Sequence, residues 1–357
     1  MSTKDYQAAT NVLLAPWTPV EVTKDATGVT VNVWGRSHRF ESHPLPTSIV
    51  AAGQELLKEP MRVTGQSRGK PIEWSDEGVQ LIVHTHNESE AIILGCARSK
   101  CGELILNTSC HIEYDGCMFI DIKLMPGNGP SDEEAVLLDK LAVEVPFRPA
   151  AASLFHYWPQ VHMGTGPNIS AENAGSIPTN GMELDFKPFL WLGNEEAGLC
   201  WFAEDDRRWQ PEEGKALEVT REDDTILLTV HLLDSIYEPW RDNAPTWRHR
   251  VGPLVYRMGI QATPVKPIDP AYFDRRIGFH HGHCIADTKA EGTDQTVLER
   301  MIDMGVNIIA CHEQWQPVQN YGFTDKPEDV KRNVQAAHDR GVKCLAYFGY
   351  ELASLAP

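Results

Sequence analysis

The sequence predicts two kinds of domain in one chain: an antiparallel β-sandwich, followed by the first part of a parallel (β/α)8 barrel. Three observations support this division. From residue 17 to about residue 263, apolar and polar residues alternate between turn signals, which is typical of half-buried strands. Three prolines then fall within Pro264–Pro270, and beyond them the apolar spacing becomes helical. Finally, Gly-Val followed by an apolar run occurs twice, at Gly305 and Gly341, 36 residues apart.

The strands of the first region follow from alternation and turn chemistry. Val29, Val31 and Val33 share one face of a strand, because successive strand side chains point to opposite faces. Asp115-Gly116 separates two apolar segments, and this dipeptide accepts the positive φ angle of a tight hairpin turn. Further strands are predicted at Leu81–His86, Ala91–Leu94, Ile112–Tyr114, Met118–Leu124, Leu137–Val145, Phe189–Trp191, Leu199–Ala203, Thr225–Leu232 and Leu254–Ala262. So many strands with few helical stretches predict a sandwich or a barrel of strands.

Irregular segments rich in aromatic residues, Gly, Pro and Asn interrupt this pattern at Tyr157–Met182 and Tyr237–Trp247. Long ordered loops often carry function, but Trp158, Trp240 and Trp247 could equally cover the open end of a sheet. A charged turn, Glu204–Trp209, is better explained as a solvated surface than as a carboxylate site.

The second region has the pattern of repeated βα units. Ile277–Phe279 forms a first short strand, and Thr293 or Asp294 caps a helix that ends at Gly305. A second helix begins near Thr324–Pro327 and ends at Gly341. Residues predicted on the inner helix faces are Leu298, Met301, Ile302, Val330, Val334 and Ala337. Each helix leads into an apolar strand, as in a parallel sheet with helices outside it.

These boundaries predict a β-sandwich domain over residues 1–265, a linker over residues 266–275 and three βα units over residues 276–357. A closed barrel of eight units needs about 250 residues. Only 81 residues run from Ile277 to Pro357, so we expect an incomplete (β/α)8 TIM barrel.

Polar and aromatic residues follow each predicted parallel strand, where a βα barrel places its active site. His and Glu side chains bond sugar hydroxyls, while aromatic rings stack on the apolar face of a sugar. The alternative is that the histidines only bond loop carbonyls. The predicted substrate-binding residues are His281 and His283 after the first strand, Glu313 and Trp315 after the second, and Tyr350 and Glu351 after the third.

A metal site is a competing interpretation of the same strand ends. His281-x-His283 after a first barrel strand resembles the amidohydrolase pattern, in which two imidazoles bind a divalent ion that activates water. Such a site needs further His and Asp ligands from later strands. Those strands are absent from this sequence, so this alternative stays open and no residue is assigned as a metal ligand. The absence of a P-loop or dinucleotide fingerprint predicts no cofactor.

Composition limits the classes of partner. The net charge of −18, from 50 acidic and 32 basic residues, disfavours nucleic acid and anionic membrane surfaces. No apolar stretch approaches the roughly 18 residues of a membrane-spanning segment, and Met1–Tyr6 lacks the apolar core of a signal peptide. If Met1 is the native start we expect a cytoplasmic protein; a preceding segment would indicate a periplasmic or secreted one. The eight cysteines form no C-x-x-C pair and are expected to be reduced, and nothing predicts the oligomeric state.

Four segments resemble the N-terminal region of proteins related to glycoside hydrolase family 123. They are Ala15–Val20, Val33–Arg36, Pro188–Phe202 and Arg276–His280, and the most specific tract runs from Trp191 to Trp209. The resemblance covers most of the chain. It implies a large β-sandwich, of the galactose-mutarotase-like super-sandwich type, in front of a (β/α)8 catalytic barrel.

The resemblance also implies an activity, the removal of terminal β-linked N-acetylgalactosamine from a glycan by a retaining, substrate-assisted mechanism. The acetamido oxygen attacks the anomeric carbon, an Asp orients the acetamide and a neighbouring Glu is the general acid. That Asp-Glu pair belongs to a later barrel strand, so the catalytic residues are expected beyond Pro357. Asp132-Glu133, Glu204-Asp205 and Glu222-Asp223 lie in the sandwich and do not match it. A carbohydrate-binding module without catalysis is the remaining alternative.

Overall fold

The computed structural model describes residues 16–75, 77–127, 138–157, 173–222, 224–237, 254–280, 285–311 and 324–346, together with residues 13, 161–162, 166–167 and 315. The chain divides into two compact units, Met1–Pro267 and Ile268–Pro357. Each unit has its own hydrophobic core.

The first unit consists of strands and one short 3-10 helix at Pro149–Ala151. Its first strands are β1 (Glu21–Lys24), β2 (Val29–Val33), β3 (Arg36–Phe40), β4 (Ser48–Ala51), β5 (Gln54–Glu55), β6 (Arg62–Ser67), β7 (Lys70–Pro71), β8 (Gln80–His86), β9 (Glu90–Arg98), β10 (Leu104–Glu113) and β11 (Cys117–Pro126). The following strands are β12 (Leu138–Phe147), β13 (Leu154–Tyr157), β14 (Val161–His162), β15 (Gly166–Pro167), β16 (Ala174–Ser176), β17 (Met182–Leu184), β18 (Phe189–Gly193), β19 (Gly198–Phe202), β20 (Leu217–Glu222), β21 (Thr225–Tyr237) and β22 (Leu254–Thr263).

Antiparallel sheets make up the sandwich. A nine-stranded sheet has the order β16-β13-β18-β19-β22-β11-β10-β9-β8, and a six-stranded sheet has the order β17-β20-β21-β12-β6-β7. A five-stranded meander, β1 to β5, and the small pair β14-β15 complete the unit. The predicted β-sandwich is therefore confirmed.

Alternating burial explains why these segments are strands. In β10 every second residue from Leu104 to Ile112 is buried, and the residues between them lie on the outer face of the sheet. Apolar side chains from the nine-, six- and five-stranded sheets enter one continuous core, whose largest fully buried members include Trp201, Tyr256 and Phe147. Burial of this apolar surface is the main stabilising term of the unit.

The predicted Asp115-Gly116 turn is confirmed. It joins β10 to β11, and Gly116 has a φ angle of +76°. The Gly116 amide donates to the Glu113 carbonyl at 2.8 Å, which closes the hairpin. Glycine suits this position because a Cβ would meet the Arg36 guanidinium, with 2.5 Å to Nη2.

Alternation did not reveal β3, because its inward-facing positions hold polar residues. Arg36 and His38 are buried, whereas Phe40 is the only apolar residue of the strand. Arg36 donates to the carbonyls of Asp115 and Pro264, so a charged side chain links β3 to the hairpin turn and to the start of the proline-rich segment.

The second unit contains a three-stranded parallel sheet of β23 (Ile277–His280), β24 (Ile308–Cys311) and β25 (Lys343–Ala346). Helix α1 (Val297–Asp303) follows β23, and helix α2 (Pro327–His338) follows β24. A 3-10 helix at Pro270–Asp274 precedes the sheet. The predicted βα alternation is confirmed, and Gly305 and Gly341 have φ angles of +82° and +73° beyond the two helix ends.

The predicted cap of the first helix was wrong. The N-cap is Thr296, not Thr293 or Asp294, because Thr296 and Glu299 form a reciprocal capping box. The Glu299 amide donates to Thr296 Oγ1 at 3.2 Å, and the Thr296 amide donates to Glu299 Oε2 at 2.8 Å. Thr293 instead donates its hydroxyl to the Ala290 carbonyl at 3.1 Å within the preceding turn.

Seven cysteines among the described residues are free thiols, and Cys284 lies outside that part of the chain. Trp158, Trp240 and Trp247 also lie outside it, so their predicted covering role stays a prediction. Within the described helices, none has the length and apolar character needed to cross a membrane.

Candidate functional site

The parallel sheet of the second unit brings its carboxyl ends to one edge. Its register pairs His280 with Cys311 and Cys311 with Ala346, so β23, β24 and β25 end side by side. The six residues predicted to contact a sugar all follow these ends along the chain. The three strands therefore end at the same edge of the sheet, and this is the edge at which a βα barrel places its active site.

Among the six predicted residues, the structure describes Trp315. Its side chain is 8% exposed and lines a mostly apolar cleft. His281, His283, Glu313, Tyr350 and Glu351 lie outside the described residues, and their convergence remains a prediction. Other side chains that line the cleft include Cys311, Cys344, Val330, Val334 and His338.

The two thiols of this cleft are unsuited to nucleophilic chemistry. Burial raises the pKa of Cys311 to about 11, and burial also raises the pKa of Cys344. Since the thiolate is the reactive form, both groups are protonated and inert near neutral pH. Their place in the small hydrophobic core agrees with a packing role.

A buried amide stabilises the same cleft. Asn333 on α2 is 2% exposed, its Oδ1 accepts from the Ala286 amide at 2.8 Å, and its Nδ2 donates to the Asp329 carbonyl at 2.8 Å. These bonds hold the segment after β23 against α2. The apolar spacing that predicted Val330, Val334 and Ala337 as the helix's inner face could not identify Asn333.

A second concavity lies in the first unit, on the outer face of the nine-stranded sheet. We call it the sheet groove; its lining residues are Asp121, Glu204, Asp205, Arg207, Arg208, Trp209, Val255 and Arg257. They come from β11, from β22 and from the turn that follows β19. The strand order β19-β22-β11 brings these three parts of the sequence together.

A bidentate ion pair crosses the floor of the sheet groove. Asp121 and Arg257 face each other across β11 and β22, and Arg257 donates from Nε at 2.7 Å and from Nη2 at 2.8 Å to the two Asp121 oxygens. These bonds, and the nearby charge of Glu204, raise the pKa of Arg257. The guanidinium is thus fixed in place and charged at all relevant pH values.

The turn beside this pair has an unusual backbone. The Trp209 amide donates to the Asp206 carbonyl at 2.9 Å, which makes Asp206–Trp209 a tight turn. Arg208 occupies its third position with a φ angle of +70°, a conformation that favours glycine. The sequence interpretation of this turn as a solvated surface holds for the exposed arginines, but it missed the buried Trp209 and the groove.

No group of three or more His, Cys, Asp or Glu side chains in the described part of the chain is arranged to hold a metal ion. His281 and His283 are outside that part. The structure therefore does not test whether these two histidines bind a metal ion.

The fold defines a class of protein in which a large antiparallel sandwich precedes a parallel α/β unit. The family profile described as glycoside hydrolase 123, third domain, matches residues 24–213, which is more than half of the chain and lies within the first unit. The chain belongs to this glycoside hydrolase 123 family. No curated protein matches the sequence in the corresponding comparison.

Solved structures resemble the chain at low similarity. The α-N-acetylgalactosaminidase NagBb from Bifidobacterium bifidum has 10% identity and a TM-score of 0.40, over 89% of this chain and 58% of that chain. The galactosidase domain of the α-galactosidase-sucrose kinase AgaSK has 7% identity and a TM-score of 0.39, over 92% and 57%. An α-galactosidase from Lactobacillus brevis has 11% identity and a TM-score of 0.31, over 92% and 54%. The chain thus spans little more than half the length of these proteins, and similarity this low carries no argument about its activity.

Proposed function

We propose that the chain is part of a glycoside hydrolase that removes terminal sugars from glycans. The observation that carries this proposal is the family match over residues 24–213. We further propose β-linked N-acetylhexosamine as the sugar class and a retaining mechanism in which the substrate's own acetamide assists.

We propose that the second unit is the start of a (β/α)8 barrel, with the sandwich domain at residues 1–265, a linker at 266–275 and the βα units at 276–357. The two faces of the parallel sheet support this. One face packs Ile309 and Cys344 against the helices. On the other face Ile277, Phe279 and Leu345 are 53%, 66% and 49% exposed. In a closed barrel, inward-pointing apolar side chains of this kind fill the interior.

The strand ends of this sheet would then form one wall of the sugar site. His281, His283, Glu313 and Glu351 would bond sugar hydroxyls, while Trp315 and Tyr350 would pack against the sugar ring. The shared edge at His280, Cys311 and Ala346 supports this assignment. None of these residues is proposed as the catalytic acid.

Hydrolysis of 4-nitrophenyl N-acetyl-β-galactosaminide by the protein encoded by the complete gene tests the activity. We expect release of nitrophenol, a β-configured product by NMR, and inhibition by a thiazoline analogue of the cyclised acetamide intermediate. The Glu313→Gln variant should lower kcat/KM by about tenfold or more, because the charged carboxylate that accepts from a sugar hydroxyl is replaced by a neutral amide. The exposed Glu328→Gln on α2 is the matched control and should leave kcat/KM unchanged.

The alternatives give different results in the same assay. Loss of activity after chelation, restored by a divalent ion, would replace this proposal with a metal-dependent hydrolase. Glycan binding without hydrolysis of any member of a glycan panel would indicate a carbohydrate-binding module. Hydrolysis with inversion at the anomeric carbon would contradict the substrate-assisted mechanism.

A further inference from the structure

The sheet groove has no role in the proposed hydrolysis, and it brings six charged side chains together on the surface of the sandwich. Its lining holds three arginines, Arg207, Arg208 and Arg257, and three carboxylates, Asp121, Glu204 and Asp205. Three positive and three negative charges give a net charge of zero. The groove is therefore charge-balanced, whereas the chain as a whole carries a net charge of −18, so it repels an anion less than the average surface does.

Two of the arginines are engaged by neighbouring carboxylates. Arg257 is bound by Asp121 across the sheet, and Arg207 donates to Asp205 from Nε at 2.8 Å and approaches it from Nη2 at 2.6 Å. These pairs position planar polar groups along the groove. Arg208 differs from both, because it makes no hydrogen bond or ion pair with any residue in the part of the chain that the structure describes.

The Arg208 backbone is held in a conformation that a side chain makes costly. Its φ angle of +70° places it in the left-handed region, where glycine is favoured. An exposed cation at a strained turn position is the kind of outlier that marks functional sites. The charge of Arg208 is thus available to a ligand in the groove.

The residue next to Arg208 is packed into the core. Trp209 is 9% exposed, and its ring packs edge-on against Phe186 at a centroid distance of 5.4 Å and lies 6.0 Å from the ring of Trp201. The turn is therefore anchored in the core of the sandwich by the residue next to Arg208. A ligand in the groove meets a preformed surface rather than a free loop.

We propose that the sheet groove binds an oligosaccharide that carries one anionic group, a carboxylate or a sulfate ester. Arg208 pairs with the anion, and Glu204 accepts hydrogen bonds from neighbouring hydroxyls. The overall negative charge of the chain disfavours polyanions, so a single charge on an otherwise neutral glycan fits best. This inference rests on the proposed function, since it takes a glycan as the substrate class and adds a second contact region in the sandwich.

Calorimetric titration of the complete chain with 3′-sialyllactose, 3′-sulfolactose and lactose tests the groove. These probes share the lactose unit and differ in their anion. We expect at least one anionic probe to bind about tenfold more tightly than lactose, and its affinity to fall as salt rises from about 20 mM to about 200 mM. Preference between the two anionic probes identifies the group as a carboxylate or a sulfate, and either preference supports the proposal.

Arg208→Gly removes the cation and relieves the backbone strain, so we expect the variant to keep the fold. We expect it to reduce binding of the anionic probe to the level of lactose, while Arg208→Lys keeps part of the preference. Arg68→Gly is the matched control, because Arg68 is a second arginine with a positive φ angle, +52°, and lies outside the groove. Equal affinity for all three probes, or unchanged binding by Arg208→Gly, would overturn the proposal.

The hydrolysis assay separates this inference from the proposed function. A neutral aryl glycoside carries no anion for Arg208, so its hydrolysis does not depend on the sheet groove. If the enzyme cleaves it while the anionic probes bind no better than lactose, the groove proposal fails and the hydrolase proposal stands. The reverse result overturns the hydrolase and leaves the groove as a glycan-binding site.

Discussion

At the scale of single residues, His38 on β3 occupies an unusual position in the described part of the sandwich. The side chain is fully buried, both ring nitrogens have no hydrogen-bond partner among the described residues, and its neighbours in the sheet are Val31 and Ile49. Burial, together with the charge of Arg36, lowers the pKa of His38 to about 3 from its ordinary 6.5. The ring is therefore neutral in the folded protein.

This lowered pKa predicts acid sensitivity. Below pH 6.5 the unfolded chain binds a proton that the folded chain excludes, so stability is complete above that pH and falls as the pH drops towards 3. Between about pH 7.5 and about pH 5 the loss from this group is about 2 kcal/mol. His38→Leu, which also removes two unpaired polar atoms from the core, should reduce the pH dependence by that amount without lowering stability at pH 7.5.

Urea unfolding of the wild type and the variant at both pH values measures this effect. His84→Leu is the control, because His84 is exposed on β8 and should leave the pH dependence unchanged. An identical fall in unfolding free energy for wild type and His38→Leu would show that His38 takes up its proton without unfolding.

At the scale of elements, the β10-β11 hairpin and the β4-β5 turn offer a matched pair of glycines. Gly116 and Gly53 have φ angles of +76° and +75°. A Cβ at Gly53 meets nothing within 4 Å, whereas at Gly116 it would lie 2.5 Å from Arg36 Nη2. Alanine at Gly53 should therefore cost only the backbone strain, about 1 kcal/mol. Alanine at Gly116 should cost roughly 1–3 kcal/mol more, because the buried Arg36 must move and loses hydrogen bonds.

The difference between the two variants in urea midpoint isolates the contact with Arg36. Equal midpoints would mean that the guanidinium shifts at no cost. In that case its bonds to the Asp115 and Pro264 carbonyls would not restrain the hairpin.

Helix α1 provides a test of its capping box. Thr296→Ala removes the hydroxyl that accepts from the Glu299 amide and should destabilise the second unit by about 1 kcal/mol. Thr293→Ala changes the same residue type three positions earlier, at the site that the residue pattern favoured as the cap. We expect its destabilisation to be less than half that of Thr296→Ala. Hydrogen exchange of the α1 amides measures both values. A larger effect for Thr293→Ala than for Thr296→Ala would indicate that Thr293, and not Thr296, caps the helix in solution.

At the scale of the whole molecule, the two units differ greatly in the size of their cores. The first core includes residues from β2 through β22, whereas the described core of the second unit has five buried members, Ile285, Leu298, Ile309, Ala337 and Val342. Small cores give little stability. The second unit should therefore exchange its amide hydrogens faster than the first.

Leu298→Ala tests whether the two units unfold independently of each other. Removing this side chain, which is 1% exposed, should cost about 2–5 kcal/mol and abolish exchange protection in residues 285–311 and 324–346. Protection in the sandwich strands should not change. Leu228→Ala, at an equally buried position on β21, is the control and should weaken only the first unit. Simultaneous loss of protection in both units would show that the chain unfolds as one cooperative body.

Much of this architecture was predictable from local patterns. Alternation identified strands whose inward side chains are apolar, such as β11 and β21, but it found only the end of β10, at Ile112–Tyr114. Glycines with positive φ identified the hairpin at Gly116 and both helix ends. The repeated helix-glycine-strand pattern predicted the parallel units, and the resemblance to glycoside hydrolases agrees with the family match. Short edge strands such as β5 and β7 were missed because two residues carry no period.

The sequence by itself determined the periodic elements, the break at the prolines and the family, because each is a property of neighbouring residues. Only the tertiary structure decided which distant residues meet. Asp121, Glu204 and Arg257 form one groove through the order β19-β22-β11, and the strained Arg208 turn faces it. Likewise, Arg36 and His38 on β3 are polar residues that are buried only because the surrounding strands enclose them. Strand order depends on long-range pairing and packing, which no local pattern records.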